Sequence, residues 1–258
     1  MRRRHLLVLA SAAALSAQAQ VANLNDAINK AGRQRMLSQR MSKAWFALLQ
    51  GTHTASAKTV LDRSMGLFDR QLVELMAFAP TPAVRETYQG LHASWREYKL
   101  LLVGATPERD KASALIKADA KMLALAHQGT QQYEALSGRT EGKLVNLAGR
   151  QRMLTQRMAK FYFAATLPVD ADLATAEIAK ARGEFVTAMG LLRNAPQANA
   201  RIQQELALAE GQWVFFNHAI ERLEGAGTTP KLLSDVFVTS ENLLSVMDQV
   251  TGLYAAIT

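Results

Sequence analysis

At 258 residues, 49% hydrophobic and 20% charged, the chain is long enough for one large or two modest globular domains and falls outside disordered compositions. The absence of cysteine excludes disulfides and thiolate metal sites. Six Pro and fifteen Gly, among abundant Ala, Leu, Gln, Met, Lys and Arg, point to an all-α protein.

The chain opens with Arg2-Arg3-Arg4, a short apolar run from Leu6 to Leu15, and Ala17-Gln18-Ala19. This is the pattern of a signal peptide over residues 1–19, cut after Ala19; an uncleaved anchor is the alternative. The apolar run is too short to span a bilayer comfortably. The expected mature product is soluble and periplasmic. Losing three arginines lowers the basic residues from 30 to 27 against 22 acidic ones, a net of +5 rather than +8. For an exported protein that modest excess favours small acidic ligands or a membrane surface over nucleic acid.

From Leu24 to Leu49 runs one long helical pattern, with Asn25 or Asp26 as a cap and Gly51-Thr52 as its end. A second helix is expected from about Ala55 to Phe78, with Leu61, Met65, Phe68, Leu72 and Leu75 at helical spacing. Pro80-Thr81-Pro82 breaks it. A third, around Leu91, Trp95 and Tyr98, covers about Val84 to Val103, and a fourth about Glu108 to Leu136. Four amphipathic helices with short connections make a four-helix bundle.

The plan then repeats. Ile28-Asn-Lys-Ala-Gly-Arg-Gln-Arg-Met-Leu-Ser-Gln-Arg-Met41 returns as Val145-Asn-Leu-Ala-Gly-Arg-Gln-Arg-Met-Leu-Thr-Gln-Arg-Met158, identical at eleven of fourteen positions. Phe185 answers Phe68, Trp213 and Phe216 answer Trp95 and Tyr98, and Tyr254 answers Tyr133. Breaks at Pro168, Pro196 and Gly225 to Pro230 separate helices five to eight. The division is therefore a bundle over 20–137 and a second over 138–258. A turn at Ser137 to Thr140, with Thr140 as a possible cap, would set the two motif helices side by side and parallel, packing the tandem bundles as an intramolecular pseudo-dimer. One continuous helix from Ala112 to Leu167 would instead place them end to end.

On a helical wheel Leu24, Ile28, Ala31, Arg35, Ser38, Ser42, Trp45 and Leu49 form a four-three seam. Arg35 thus sits where a seam wants an apolar residue, as Arg152 does in the second copy. Arg33 and Arg40 lie on the nearly opposite side with Met36 and Lys43, and Arg150, Arg157 and Lys160 repeat that face. A seam charge is unfavourable unless neutralised, and neither motif contains an acid. Gly32 and Gly149 allow close backbone approach. A planar oxyanion between the two guanidinium forks would relieve their repulsion.

Asn-x-Ala-Gly-x-x-Arg-Met-x-Ser/Thr-x-Arg, opening the first helix of an exported bundle, resembles the P-box of nitrate/nitrite sensors of the NarX type. The wider resemblance is to the PilJ-type domain, the N-terminal part of the type IV pili methyl-accepting chemotaxis transducer. It implies a periplasmic bundle binding nitrate or nitrite between first helices. Arg35 and Arg152 would be the main contacts, Gly32 and Gly149 would lie beside them, and Arg40 and Arg157 match the later P-box arginine. Arg33 and Arg150 stand where those sensors usually carry a small residue. The receptors' transmembrane helices and signalling modules have no counterpart in this sequence, so a partner such as a membrane sensor or transporter is expected.

The plainer alternative for Arg35 and Arg152 is an ion pair with an acid of another helix, such as Glu74 or Asp69. For Arg33, Arg40, Arg150 and Arg157 it is structural ion pairing or a solvated face. Trp95, Trp213, Phe68, Phe185, Tyr133 and Tyr254 are expected in the core. The histidines do not repeat between copies, no Glu-x-x-His pair occurs, and no nucleophile–base pair or phosphate loop is present. Neither a metal, a cofactor nor enzymatic activity is expected. Two functions remain: a periplasmic nitrate/nitrite binding or sensing protein, and a ligand-free interaction module of pilus, chemotaxis or envelope machinery.

Overall fold

The computed structural model describes residues 20–104, 106–167, 171–222 and 229–257. The expected leader, Pro168 and residues 225–228 of the last expected break lie outside them. Among the described residues there are eight helices and no strand: α1 (Leu24–Leu49), α2 (Thr54–Phe78), α3 (Pro82–Leu102), α4 (Ala112–Ser137), α5 (Thr140–Ala165), α6 (Ala171–Arg193), α7 (Ala200–Glu221) and α8 (Pro230–Ala255). No described helix is long and apolar enough to cross a membrane.

Local chemistry sets the helix ends, with several corrections to the expected ones. The cap of α1 is Asn23, not Asn25 or Asp26; its side chain accepts from the Asp26 amide at 2.9 Å. Thr81 caps α3, whose first residue is Pro82, a position where the missing N–H costs nothing. A single 3₁₀ turn at Arg109–Lys111 precedes α4, which therefore starts four residues later than expected. Thr140 is the first helical residue of α5, and Arg139, which offers no side-chain cap, stands before it.

The expected two tandem four-helix bundles are α1–α4 and α5–α8. Equivalent contacts recur in each. The Tyr133 hydroxyl donates to the Leu75 carbonyl (3.0 Å), and that of Tyr254 donates to Leu192 (2.7 Å). Phe68 lies 4.4 Å from Trp95 between ring centroids, and Phe185 the same distance from Trp213. Trp213 departs from expectation in being only half-buried. In the first copy Asp69 accepts from Trp95 Nε1 and Lys99 lies over the indole; Val186 and Asn217 hold those positions in the second and provide no such cover.

α1 packs along α5, and the other helices flank this pair. Gly32 meets Gly149, with 3.8 Å between the Cβ position of the one and the Cα of the other. At the far end of α1, its C-cap residue Gln50 donates to the Phe163 carbonyl (2.8 Å), so the helices run parallel and in register. A continuous helix from Ala112 to Leu167 does not form. Gly138 turns the chain at φ 61°, the left-handed conformation that ends helices and favours glycine.

No atom stands within 4 Å of a Cβ placed on Gly138, so only backbone conformation opposes a side chain there. Gly138→Ala is expected to lower stability by about 1 kcal/mol, read by urea unfolding with an unchanged m-value. No loss would mean that the turn does not require glycine.

Candidate functional site

The polar site lies along the α1–α5 contact, because the two most enclosed helices are also among the most polar. Gln34, Arg35, Ser38, Gln39, Ser42 and Lys43 of α1 are all buried, as are Gln151, Arg152, Thr155, Gln156 and Lys160 of α5. Each helix has neighbours on every side, so the seam and its opposite face are both covered.

At the glycine crossing both guanidinium Nη2 atoms lie 3.1–3.7 Å from where Cβ atoms on Gly32 and Gly149 would stand. Arginine at this position and glycine three residues earlier therefore belong together: each glycine leaves room for the guanidinium of its own helix and for that of the other. Each arginine also reaches across. Arg35 Nη2 donates to Asn146 Oδ1 (2.7 Å), and Arg152 Nη2 donates to the Asn29 carbonyl (3.0 Å). The asparagine shared by the two repeats thus binds the arginine of the other copy, through its side chain at Asn146 and its backbone carbonyl at Asn29.

Beyond this exchange the two arginines differ. Arg152 Nη1 donates to the Asp248 carboxylate on α8, which also accepts from Arg33 at 2.8 Å. Arg35 Nη1 instead faces His127 Nδ1 at 3.2 Å, and no carboxylate lies within salt-bridge distance of Arg35 among the described residues. Glu134 acts on Arg35 through Asn146, which donates to it. Neither Arg35 Nε nor Arg152 Nε has a hydrogen-bond partner. Burial pulls the Arg35 pKa down to about 9, with Arg150 and Arg152 adding repulsion. Arg152, buried but relieved by Asp248, is pulled down to about 10. Both remain cationic at neutral pH. Burial and the nearby arginines hold His127 down to about 4, so its neutral ring can accept from Arg35.

The acids anticipated for these arginines serve elsewhere. Glu74 pairs with Lys30, and Asp69 with Lys99. The outer arginines are in ion pairs: Arg33 with Asp248, Arg40 with Glu241, Arg150 with Glu184 and Arg157 with Glu177. The face carrying Arg33, Arg40 and Lys43 is therefore no solvated surface, because α8 of the other copy covers it.

A turn further along, two lysines are buried. Lys43 Nζ donates to Ser240 (3.0 Å) and to Glu241, beneath the Phe237 ring. Lys160 Nζ donates to Asp119 (2.6 Å), which also accepts from Gln39 Nε2 at 2.8 and 2.9 Å. Each lysine thus binds the last helix of the opposite bundle. Desolvation draws Lys43 down to about 8. The lysines and arginines in turn hold Glu241 down to about 2 and Asp248 below its ordinary range, against the opposing effect of burial. The repeats of Lys43 in Lys160 and of Gln39 in Gln156 were the sequence signals for this layer. Asp119, Glu241 and Asp248 occur once each and left none.

Arg35 borders a cleft of about 290 Å³ among α4, α5 and α6, which Arg150, Arg157, Lys180, His127 and Glu184 also line.

Asp119 and Lys160 are both buried, so replacing the carboxylate strands an ammonium in the interior. Asp119→Asn is expected to cost about 3–5 kcal/mol, measured by denaturant unfolding. A cost below about 1 kcal/mol, the range of exposed ion pairs, would show that the pair is solvated.

Stability should also fall in acid in two stages. His127 is depressed from 6.5 to about 4, so its contribution is complete above pH 6.5 and lost as pH falls through 4. Glu241, depressed from 4.5 to about 2, loses its contribution over that lower window. His127→Gln should flatten melting temperature against pH between 6.5 and 4 and leave the lower stage intact; an unchanged upper stage would remove His127 as its source.

The chain matches the family described as "Type IV pili methyl-accepting chemotaxis transducer N-term" (PilJ) over residues 16–122 and again over 137–237. No curated protein and no solved structure matches it. The two matched segments correspond to the two bundles, with a motif helix in each. The chain therefore belongs to the PilJ family of chemotaxis-transducer N-terminal domains, in two tandem copies.

Proposed function

We propose that the protein is a periplasmic sensing module in which two PilJ-type bundles form an intramolecular pseudo-dimer, with a small oxyanion, nitrate or nitrite, as the signal at the α1–α5 crossing. The observation that carries this reading is Arg35: a fully buried guanidinium with no carboxylate partner among the described residues, one unpartnered N–H, and a cleft beside it. An uncompensated buried cation is costly, and an arriving anion recovers part of that cost. Arg35 supplies the main contact in this reading. Gly32 and Gly149 keep the crossing open, and Arg152, already neutralised by Asp248, contributes a secondary field.

The signal would be a change in α1–α5 packing. The Arg35–Asn146 and Arg152–Asn29 bonds tie the two helices together. An anion on Arg35 competes with Asn146 and so favours a second arrangement of the pair, which a membrane sensor or transporter could read.

One observation favours the other reading, a ligand-free interaction module of pilus, chemotaxis or envelope machinery. Four outer arginines and Arg152 already have internal carboxylates, so most of the basic motif holds bundles together.

Calorimetry with nitrate, nitrite and chloride on the wild type, Arg35→Ala and Arg152→Ala separates the two. The sensing reading expects oxyanion binding that Arg35→Ala abolishes and Arg152→Ala weakens by about tenfold or less. Absence of nitrate and nitrite binding to a folded wild-type protein would overturn it in favour of the interaction module.

A further inference from the structure

The two last helices, α4 and α8, occupy equivalent positions in their bundles but carry different charge. Tyr133 of α4 matches Tyr254 of α8, so Ala120, Ala124 and His127 stand where α8 has Glu241, Ser245 and Asp248. On the α8 side those two acids hold the arginines of α1: Glu241 takes Arg40, and Asp248 takes Arg33 and Arg152. On the α4 side both acids are missing. The α5 arginines turn to α6 instead, Arg150 to Glu184 and Arg157 to Glu177, and Arg35 keeps only uncharged partners. Two small side chains and a histidine in place of two acids and a serine leave both a space and a deficit of negative charge.

That space is the cleft of about 290 Å³ among α4, α5 and α6. Its lining divides by chemistry. Arg35, Arg150, Arg157 and Lys180 line it beside Glu184; Arg150 and Arg157 are paired with acids of α6, whereas neither Arg35 nor Lys180 has an acid within salt-bridge distance among the described residues. The rest of the wall is apolar: Leu123, Met153, Leu154 and the alanines of α4 and α6. The volume approaches the roughly 300 Å³ at which small-molecule sites begin and far exceeds what a four-atom oxyanion fills.

We propose that this cleft binds an organic carboxylate with an apolar body, its carboxylate taking beside Arg35 and Arg150 the role that Asp248 plays on the opposite side. Arg35 keeps one buried N–H, that of Nε, without a partner, and it can serve one carboxylate oxygen by a charge-assisted hydrogen bond. The apolar body lies against Leu123, Met153 and Leu154, and Lys180 at the rim favours entry of an anion. The proposal rests on the sensing reading in placing the signal at Arg35, and it changes the ligand's chemical class from a bare oxyanion to an amphipathic acid.

Titration calorimetry on the full chain, with acetate, hexanoate, benzoate and phenylacetate, tests it, with phenylacetamide as the uncharged control and nitrate alongside. Phenylacetate, benzoate or hexanoate should bind at least about tenfold more tightly than acetate and than phenylacetamide. The double variant Ala120→Glu/His127→Asp installs on α4 the acids that α8 already carries. It should fold with an unchanged or higher melting temperature and lose at least about tenfold in affinity. Should nitrate bind while none of the larger acids does, the proposal fails and the oxyanion reading stands. Should a larger acid bind and nitrate not, the proposal stands and nitrate is removed as the signal. Binding that survives the double variant unchanged would also overturn the proposal, because the site would then lie elsewhere. No binding by any anion would overturn both.

Discussion

Two guanidinium groups buried at one helix crossing repel each other, and the rest of the structure is arranged around that repulsion. Glycines on both helices give the charges room, and each arginine hydrogen-bonds the opposite backbone or asparagine. The last helix of the second bundle neutralises Arg152 through Asp248, while the last helix of the first offers Arg35 only the uncharged His127. The resulting interface is polar over its middle turns, which is unusual for the most buried surface of a small helical protein. Polar groups in such a place give the packing a single register, because a slip by one residue would strand several donors and charges at once.

The duplication supplies this interface, and divergence of the copies makes it unequal. Copy-specific substitutions occur in compensating sets. Ser42 and Tyr98 share a hydrogen bond of 2.6 Å in the first bundle, and Ala159 and Phe216 hold the same positions in the second. The change of His127 to Asp248 between copies belongs to the same pattern but falls beside the buried arginines. There it decides which of them has a carboxylate.

The fold was legible in the sequence because its signals are local and repeated. Helical periodicity, the proline breaks and Ser137-Gly138 each act over a few residues, and a duplicated motif doubles the weight of each. The seam arginines were legible for the same reason. The acids that decide their chemistry were not. Asp119, Glu241 and Asp248 lie on α4 and α8, 80 or more residues from the α1 side chains they meet, and a lone acid on an amphipathic helix looks like an ordinary surface residue. The burial of Lys43 and Lys160 went unread for a related reason: a helical wheel shows which side chains share a face and says nothing about what covers that face. The cleft left even less trace, since it is made by alanines whose meaning appears only when α4 is set against α8.

The turn at Gly138 has a consequence in mass action. Two chains that meet through their first helices associate to a degree set by their concentration, and a dilute compartment separates them. Here only Gly138 and Arg139 stand between α4 and α5, so α1 and α5 meet at an effective concentration fixed by covalent geometry, which dilution does not reduce. A symmetric pair must also offer identical chemistry from both halves, whereas one continuous chain can keep an acid on one side and omit it from the other. The short connection thus frees the two halves to become unequal without any risk of pairing like with like.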